Sequence, residues 1–103
     1  MMTAKEVSAH CLRRLKEAGV TSLNGFEVEA QDGNAGVIDQ VLYWSDALTP
    51  DFLIVGTRRW IFGHKAIIPV DVIEDVDVPN RRLRIRMNRE QVRQAPESLP
   101  VAL

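Results

Sequence analysis

Six arginines in a short span, Arg81, Arg82, Arg84, Arg86, Arg89 and Arg93, form the densest charged group in the sequence. On an extended strand Arg82, Arg84 and Arg86 share one face at intervals of about 6.8 Å, near the phosphate repeat of a nucleic-acid strand. Carboxylates facing them across a hairpin would neutralise part of that stripe. Asp75 is expected opposite Arg84 and Asp77 opposite Arg82, which leaves Arg81, Arg86, Arg89 and Arg93 for RNA or a ribosome as partner. No RNA-binding aromatic signature accompanies them. A second group, Trp60, Ile61 and Phe62 flanked by Arg58, Arg59, His64 and Lys65, has the composition of a protein-interaction hot spot, where aromatics anchor and arginines frame. The same aromatics would equally serve to plug one end of a small β domain.

Metal and catalytic chemistry fall away on spacing. His10 and Cys11 are neighbours on a helical segment and project about 100° apart, and His64 is remote, so no zinc-ligand pattern forms. Glu74, Asp75 and Asp77 lie on an expected strand, with Asp71 just before it, and adjacent strand side chains alternate faces and cannot converge as those of a calcium loop do. Gly33 and Gly36 make no phosphate loop, and no nucleophile–histidine motif is visible. The expectation is a protein without catalytic, cofactor or metal residues.

The elements that position these groups begin with a helix over 3–19. Thr3 and Glu6 can cap its first turn and Gly19 can end it in a left-handed conformation. A step of 100° per residue gathers Ala4, Val7, Cys11, Leu12, Leu15 and Ala18 into one arc opposite the charged residues. A helix of about four turns is marginal alone, so the arc must dock on its own domain or on a second copy as a homodimer. After Gly19 the period becomes strand-like. Strands are expected at Phe26–Ala30, Val37–Trp44, Phe52–Gly56, Lys65–Val70, Ile73–Val78 and Leu83–Met87. Asp32-Gly33 marks a tight hairpin, the odd spacing of Ile38 and Val41 marks a bulge, and Pro69 marks an edge strand or strand end. Pro79-Asn80 requires an even connection that sets Val76 beside Leu83. Asn88 with Gln91 opens a short helix that Pro96 stops, and 98–103 is expected to fray.

Composition sets the outer bounds. The 103 residues, 11.6 kDa, hold one core, and 46% hydrophobic with 26% charged residues is a globular balance. The formal charge of -1 provides no overall field toward nucleic acid or an anionic membrane, but residues 1–57 sum to -4 and 58–103 to +3, so an anionic partner would meet the second half. A single cysteine excludes an internal disulfide, no secretory leader opens the chain, and no apolar run approaches the roughly 18 residues of a membrane span. The expected location is cytoplasmic, without membrane insertion.

The order of the elements and their junction residues resembles the PRC-barrel family over 23–97. Leu23-Asn24-Gly25-Phe26-Glu27-Val28, followed by Asp32-Gly33, Gly36 and Ile38, is similar to its opening hairpin. Thr57 to Lys65 leading into Ile67-Ile68-Pro69 resembles its aromatic and basic connection into an apolar-Pro strand. Val72 to Asp77 with Leu83–Met87, then Asn88-Arg89-Glu90-Gln91-Val92 and Ala95-Pro96, resembles its closing hairpin and tail, with Asn88 in the place of a threonine. The family includes the photosynthetic reaction-centre H subunit and a bacterial ribosome maturation factor. Neither the membrane helix of the first nor the preceding RNA-associated domain of the second is expected for this chain, and the helix over 3–19 lies outside the resemblance. The resemblance implies a mainly β chain with a small antiparallel β-barrel of about six short strands, to which the reading of the residues adds the N-terminal amphipathic helix and a short C-terminal helix. It also implies a non-enzymatic adaptor that binds another protein, and the composition of Arg58, Arg59, Trp60, Ile61, Phe62 and His64 makes that group the expected docking site. The RNA- or ribosome-associated alternative uses the Arg81–Arg93 face.

Overall fold

A computed structural model describes residues 1–43, 50–57 and 64–96. Its elements are α1 (Ala4–Glu17), β1 (Glu27–Ala30), β2 (Gly33–Leu42), β3 (Phe52–Thr57), β4 (His64–Pro69), a 3₁₀ turn (Val70–Val72), β5 (Ile73–Asp77), β6 (Arg82–Ile85) and α2 (Arg89–Arg93). The caps follow the side-chain chemistry. The Thr3 hydroxyl accepts the Glu6 N–H at 3.2 Å, and donates to the Glu6 carboxylate where a reciprocal bond from the Thr3 amide was expected. Gly19 at φ +80° ends α1, with Val20 N–H donating to Leu15 C=O and Gly19 N–H to Lys16 C=O, a Schellman motif. At α2 the capping box is complete: Asn88 and Gln91 each accept the other's backbone N–H at 2.8 Å.

The strands form one sheet in the order β4-β3-β2-β1-β6-β5. Inward residues from all six strands share a single core, among them Val28, Ile38, Leu53, Ile68, Ile73, Val76, Leu83 and Ile85. Strand β2 carries two bulges, one between the partners of Val28 and Glu29 and one between Ile38 and Gln40. Each adds a residue, so Ala35, Ile38 and Val41 reach the core at intervals of three where a regular strand would need two. A third irregularity, between Ile73 and Asp75, does the same for Ile73 and Val76. The hairpin register agrees with expectation, with Val76 beside Leu83, Asp75 beside Arg84 and Asp77 beside Arg82.

Two expectations are corrected. The sheet is not all antiparallel, because β1 and β6 run parallel, and it is not closed, because β4 and β5 form its two edges. Both follow from one junction. A hairpin after β4 would reverse the chain, whereas Pro69 ends that strand and the 3₁₀ turn carries the chain on in the same sense into β5. The β5–β6 hairpin then returns β6 in the direction of β1. The three-residue link joins the end of one edge strand to the start of the opposite edge, which requires the sheet to curl around its core. The edges themselves are covered: α1 packs along β5, and Ile67 N–H of β4 donates to Pro96 C=O at 2.8 Å.

Gly56 shows how the curl is accommodated on the outer face. The carboxylate of the bulged Asp39 lies over it, and a Cβ there would stand 2.7 Å from Asp39 Oδ2, which also faces Lys65 Nζ at 3.9 Å. Gly56→Ala is expected to destabilise by about 1–3 kcal/mol. Adding Asp39→Ala should recover most of that loss, and denaturant midpoints of the two single variants and the double variant test the coupling.

Candidate functional site

The arginine face is interlocked with carboxylates. Arg82 meets Glu27 at 3.3 Å and Glu29 at 3.8 Å, since parallel pairing lays β1 alongside β6. Arg86 meets Glu74 at 3.8 Å, Arg89 meets Asp32 at 3.6 Å and Arg93 meets Glu90 at 3.0 Å. Arg81, at φ +52°, donates to Asn24 C=O at 3.1 Å and places its guanidinium 4.9 Å from the centre of the Phe26 ring. The expected register holds, but the partners differ. Asp75 pairs with Arg14 of α1 at 3.3 Å, and Asp77 accepts from Asn80 at 2.8 Å. Arg84 makes no ion pair among the described residues and stands in a shallow polar depression beside Glu29 and Glu74. Four arginines held against carboxylates leave little uncompensated charge for a phosphate backbone.

The carboxylates do not converge. Asp71 accepts from Ser8, Glu74 faces Arg86, Asp75 faces Arg14 and Asp77 faces Asn80, and no group of three metal-ligating side chains occurs among the described residues. Asp32, in the turn between β1 and β2, accepts the first backbone N–H of α2, that of Arg89, at 2.8 Å. That bond, with the Arg89 guanidinium beside it, holds the Asp32 carboxyl below its ordinary value, and bonds from Asn80 do the same for Asp77. A carboxyl depressed in the folded state stabilises above its unfolded pKa and loses that contribution as pH falls through its folded value. Denaturant midpoints should therefore drop on acidification below the usual carboxylate range, and Asp32→Asn should flatten that acid limb.

Arg58, Arg59, Trp60, Ile61 and Phe62 lie outside the described residues, as does the side chain of His64, whose backbone opens β4. The described ends of β3 and β4, Thr57 and His64, pair with one another next to Gly56, which pairs with Val37 of β2.

At the other end of the β2–β3 ladder the structure places a site that spacing did not indicate. The docked stripe of α1 is Ser8, Cys11 and Leu15, all buried, with Val7 half-buried beside it. Ser8 had been no part of the expected arc. It is buried because its hydroxyl donates to Lys5 C=O at 3.0 Å and reaches Asp71 at 3.4 Å. Burial and the neighbouring Asp75 carboxylate raise the Cys11 thiol above its ordinary pKa. Cys11 should thus react slowly with a disulfide reagent in the folded protein and rapidly in denaturant.

The arc is wider than this stripe, and Leu12 on its flank packs against the core but is only partly buried. Leu12 borders a groove of about 560 Å³, open on one side, whose other apolar walls are Val20, Leu23, Val41 and Pro50. Tyr43, 54% exposed, stands at its lip. Arg13 and Lys16, on the same flank of α1, line the groove, and neither has an ion pair among the described residues. Arg14 points to the opposite flank and is spent on Asp75 and on Val76 C=O. The sequence signal for this groove is the surplus of the apolar arc over what one sheet edge can cover.

The chain matches no protein-family model and no curated protein.

Proposed function

We propose that this chain is a non-enzymatic adaptor of PRC-barrel type that binds another protein. The observation that carries this is the groove between α1 and the end of β2, where apolar side chains and an exposed tyrosine sit beside Arg13 and Lys16, cations without an ion pair among the described residues. An apolar floor, an aromatic at the lip and a basic rim make up the anatomy of a protein-binding surface. The barrel reading draws support from the three-residue corner between β4 and β5, which brings the two sheet edges together at one end. The second docking surface of this reading is the aromatic and basic group Arg58, Arg59, Trp60, Ile61, Phe62 and His64.

Capture of tagged protein from its native lysate, with and without nuclease, tests the proposal. The expected result is a protein partner that survives nuclease and is lost with Trp60→Ala/Phe62→Ala or with Tyr43→Ala. Retention of ribosomal components or RNA alone, vanishing with nuclease, would overturn it in favour of the Arg81, Arg86, Arg89 and Arg93 face.

A further inference from the structure

Resting on the protein-binding reading above, we infer that the groove beside α1 receives an acidic, amphipathic helical segment of a partner protein. The charge of the rim selects the occupant. Arg13 and Lys16 are its charged side chains, and no carboxylate lines the groove among the described residues. This basic rim occurs in the half of the chain whose net charge is -4. The other helical arginine of that turn is withdrawn to Asp75, so the two rim cations face the groove without internal competition. Desolvating an unpaired cation against an apolar partner costs free energy unless the partner supplies a carboxylate.

The spacing of the groups selects the form of the occupant. Arg13 and Lys16 are three apart on a helix, so their side chains emerge about 5–6 Å from one another along the groove. A partner helix with acidic residues at the same interval meets both, while its residues at i, i+3 and i+4 fall on the floor made by Leu12, Val20 and Val41. Tyr43 closes over the end of such a helix as an amphipathic anchor. Nucleic acid fits less well, because two cations over an apolar floor neutralise few phosphates.

The experiment is a selection from a displayed random-peptide library on the intact chain, followed by binding titrations of the enriched peptides on variants. The principal variant is Arg13→Glu/Lys16→Glu, because both side chains are exposed and unpaired among the described residues, so the fold does not depend on them. Tyr43→Ala, also exposed, is the second. Enriched peptides should combine acidic residues with apolar ones at helical spacing, and should bind the charge-reversed variant at least about tenfold more weakly. Selection repeated on that variant should turn to basic peptides. Enriched peptides without acidic bias, or with binding unchanged in both variants, would overturn the groove assignment and leave the protein-binding reading in place. Absence of any enriched peptide would overturn the groove assignment, and capture from the native lysate then decides the protein-binding reading independently.

Discussion

Phe26→Ala is expected to remove about 3–5 kcal/mol of folding stability, the range for truncating a buried aromatic. Phe26 is 1% exposed and sits where the link from α1 enters the sheet. Its N–H donates to Leu23 C=O at 3.0 Å, and its C=O accepts the Ile38 N–H at 2.9 Å. The backbone there is fixed by β2, so it cannot collapse freely into the space the ring leaves. Arg81 over the ring loses its aromatic partner at the same time, which adds about 0.5–1 kcal/mol at an exposed site. Domains of this size hold about 5–15 kcal/mol in all, so the variant should unfold at a much lower denaturant concentration or fail to fold at physiological temperature. Urea melts followed by tryptophan fluorescence and by far-UV circular dichroism check this. A loss under about 1 kcal/mol would mean that neighbouring side chains refill the site.

The second large effect separates two adjacent residues of β6. Leu83→Ala should cost about 2–5 kcal/mol, whereas Arg84→Ala should stay within about 0.5 kcal/mol of the parent. Leu83 is fully buried between Val28 of the parallel neighbour and Val76 of the antiparallel one. Arg84 points to the outer face and has no ion pair among the described residues. The contrast tests the pleat and both ladders at once, because a one-residue slip of β6 would exchange the two outcomes. Chemical denaturation of the pair, with m-values compared, distinguishes lost packing from a change in the extent of the folded unit.

The features legible in the sequence are those that local physics dictates. Thr3, Gly19, Asn88 and Gln91 mark helix ends because their side chains or their freedom at positive φ satisfy backbone groups within a few residues. The bulge after Ile38, the end of β4 at Pro69 and the pairing of Val76 with Leu83 depend likewise on short-range chain geometry, whereas the first hairpin turns on Gln31-Asp32, one residue before the expected Asp32-Gly33, with Gly33 at positive φ opening β2. The arginine cluster was visible as a pattern, but its state was not. Arg82 was assigned to Asp77 on hairpin register alone, whereas the parallel neighbour β1 presents Glu27 and Glu29 to it. Hairpin register ranks the nearest carboxylate in sequence, while charge pairing answers to the nearest one in space.

The sequence by itself determined the order and type of the helices and strands, the caps and the register of the last hairpin, because periodicity, caps and turn residues act within a turn or a hairpin; it missed that β2 starts at Gly33, four residues before the expected Val37. The tertiary structure alone decided that β1 and β6 run parallel, that Ser8 is fully buried while Leu12 is only partly so, and that Leu12, Val41 and Tyr43 from distant segments flank one groove beside Arg13 and Lys16. Those outcomes depend on the direction in which the chain leaves β4 and on how much of the apolar arc of α1 the β5 edge can bury. Neither quantity is carried by any local window of residues, since both are set by the simultaneous packing of segments far apart in the chain.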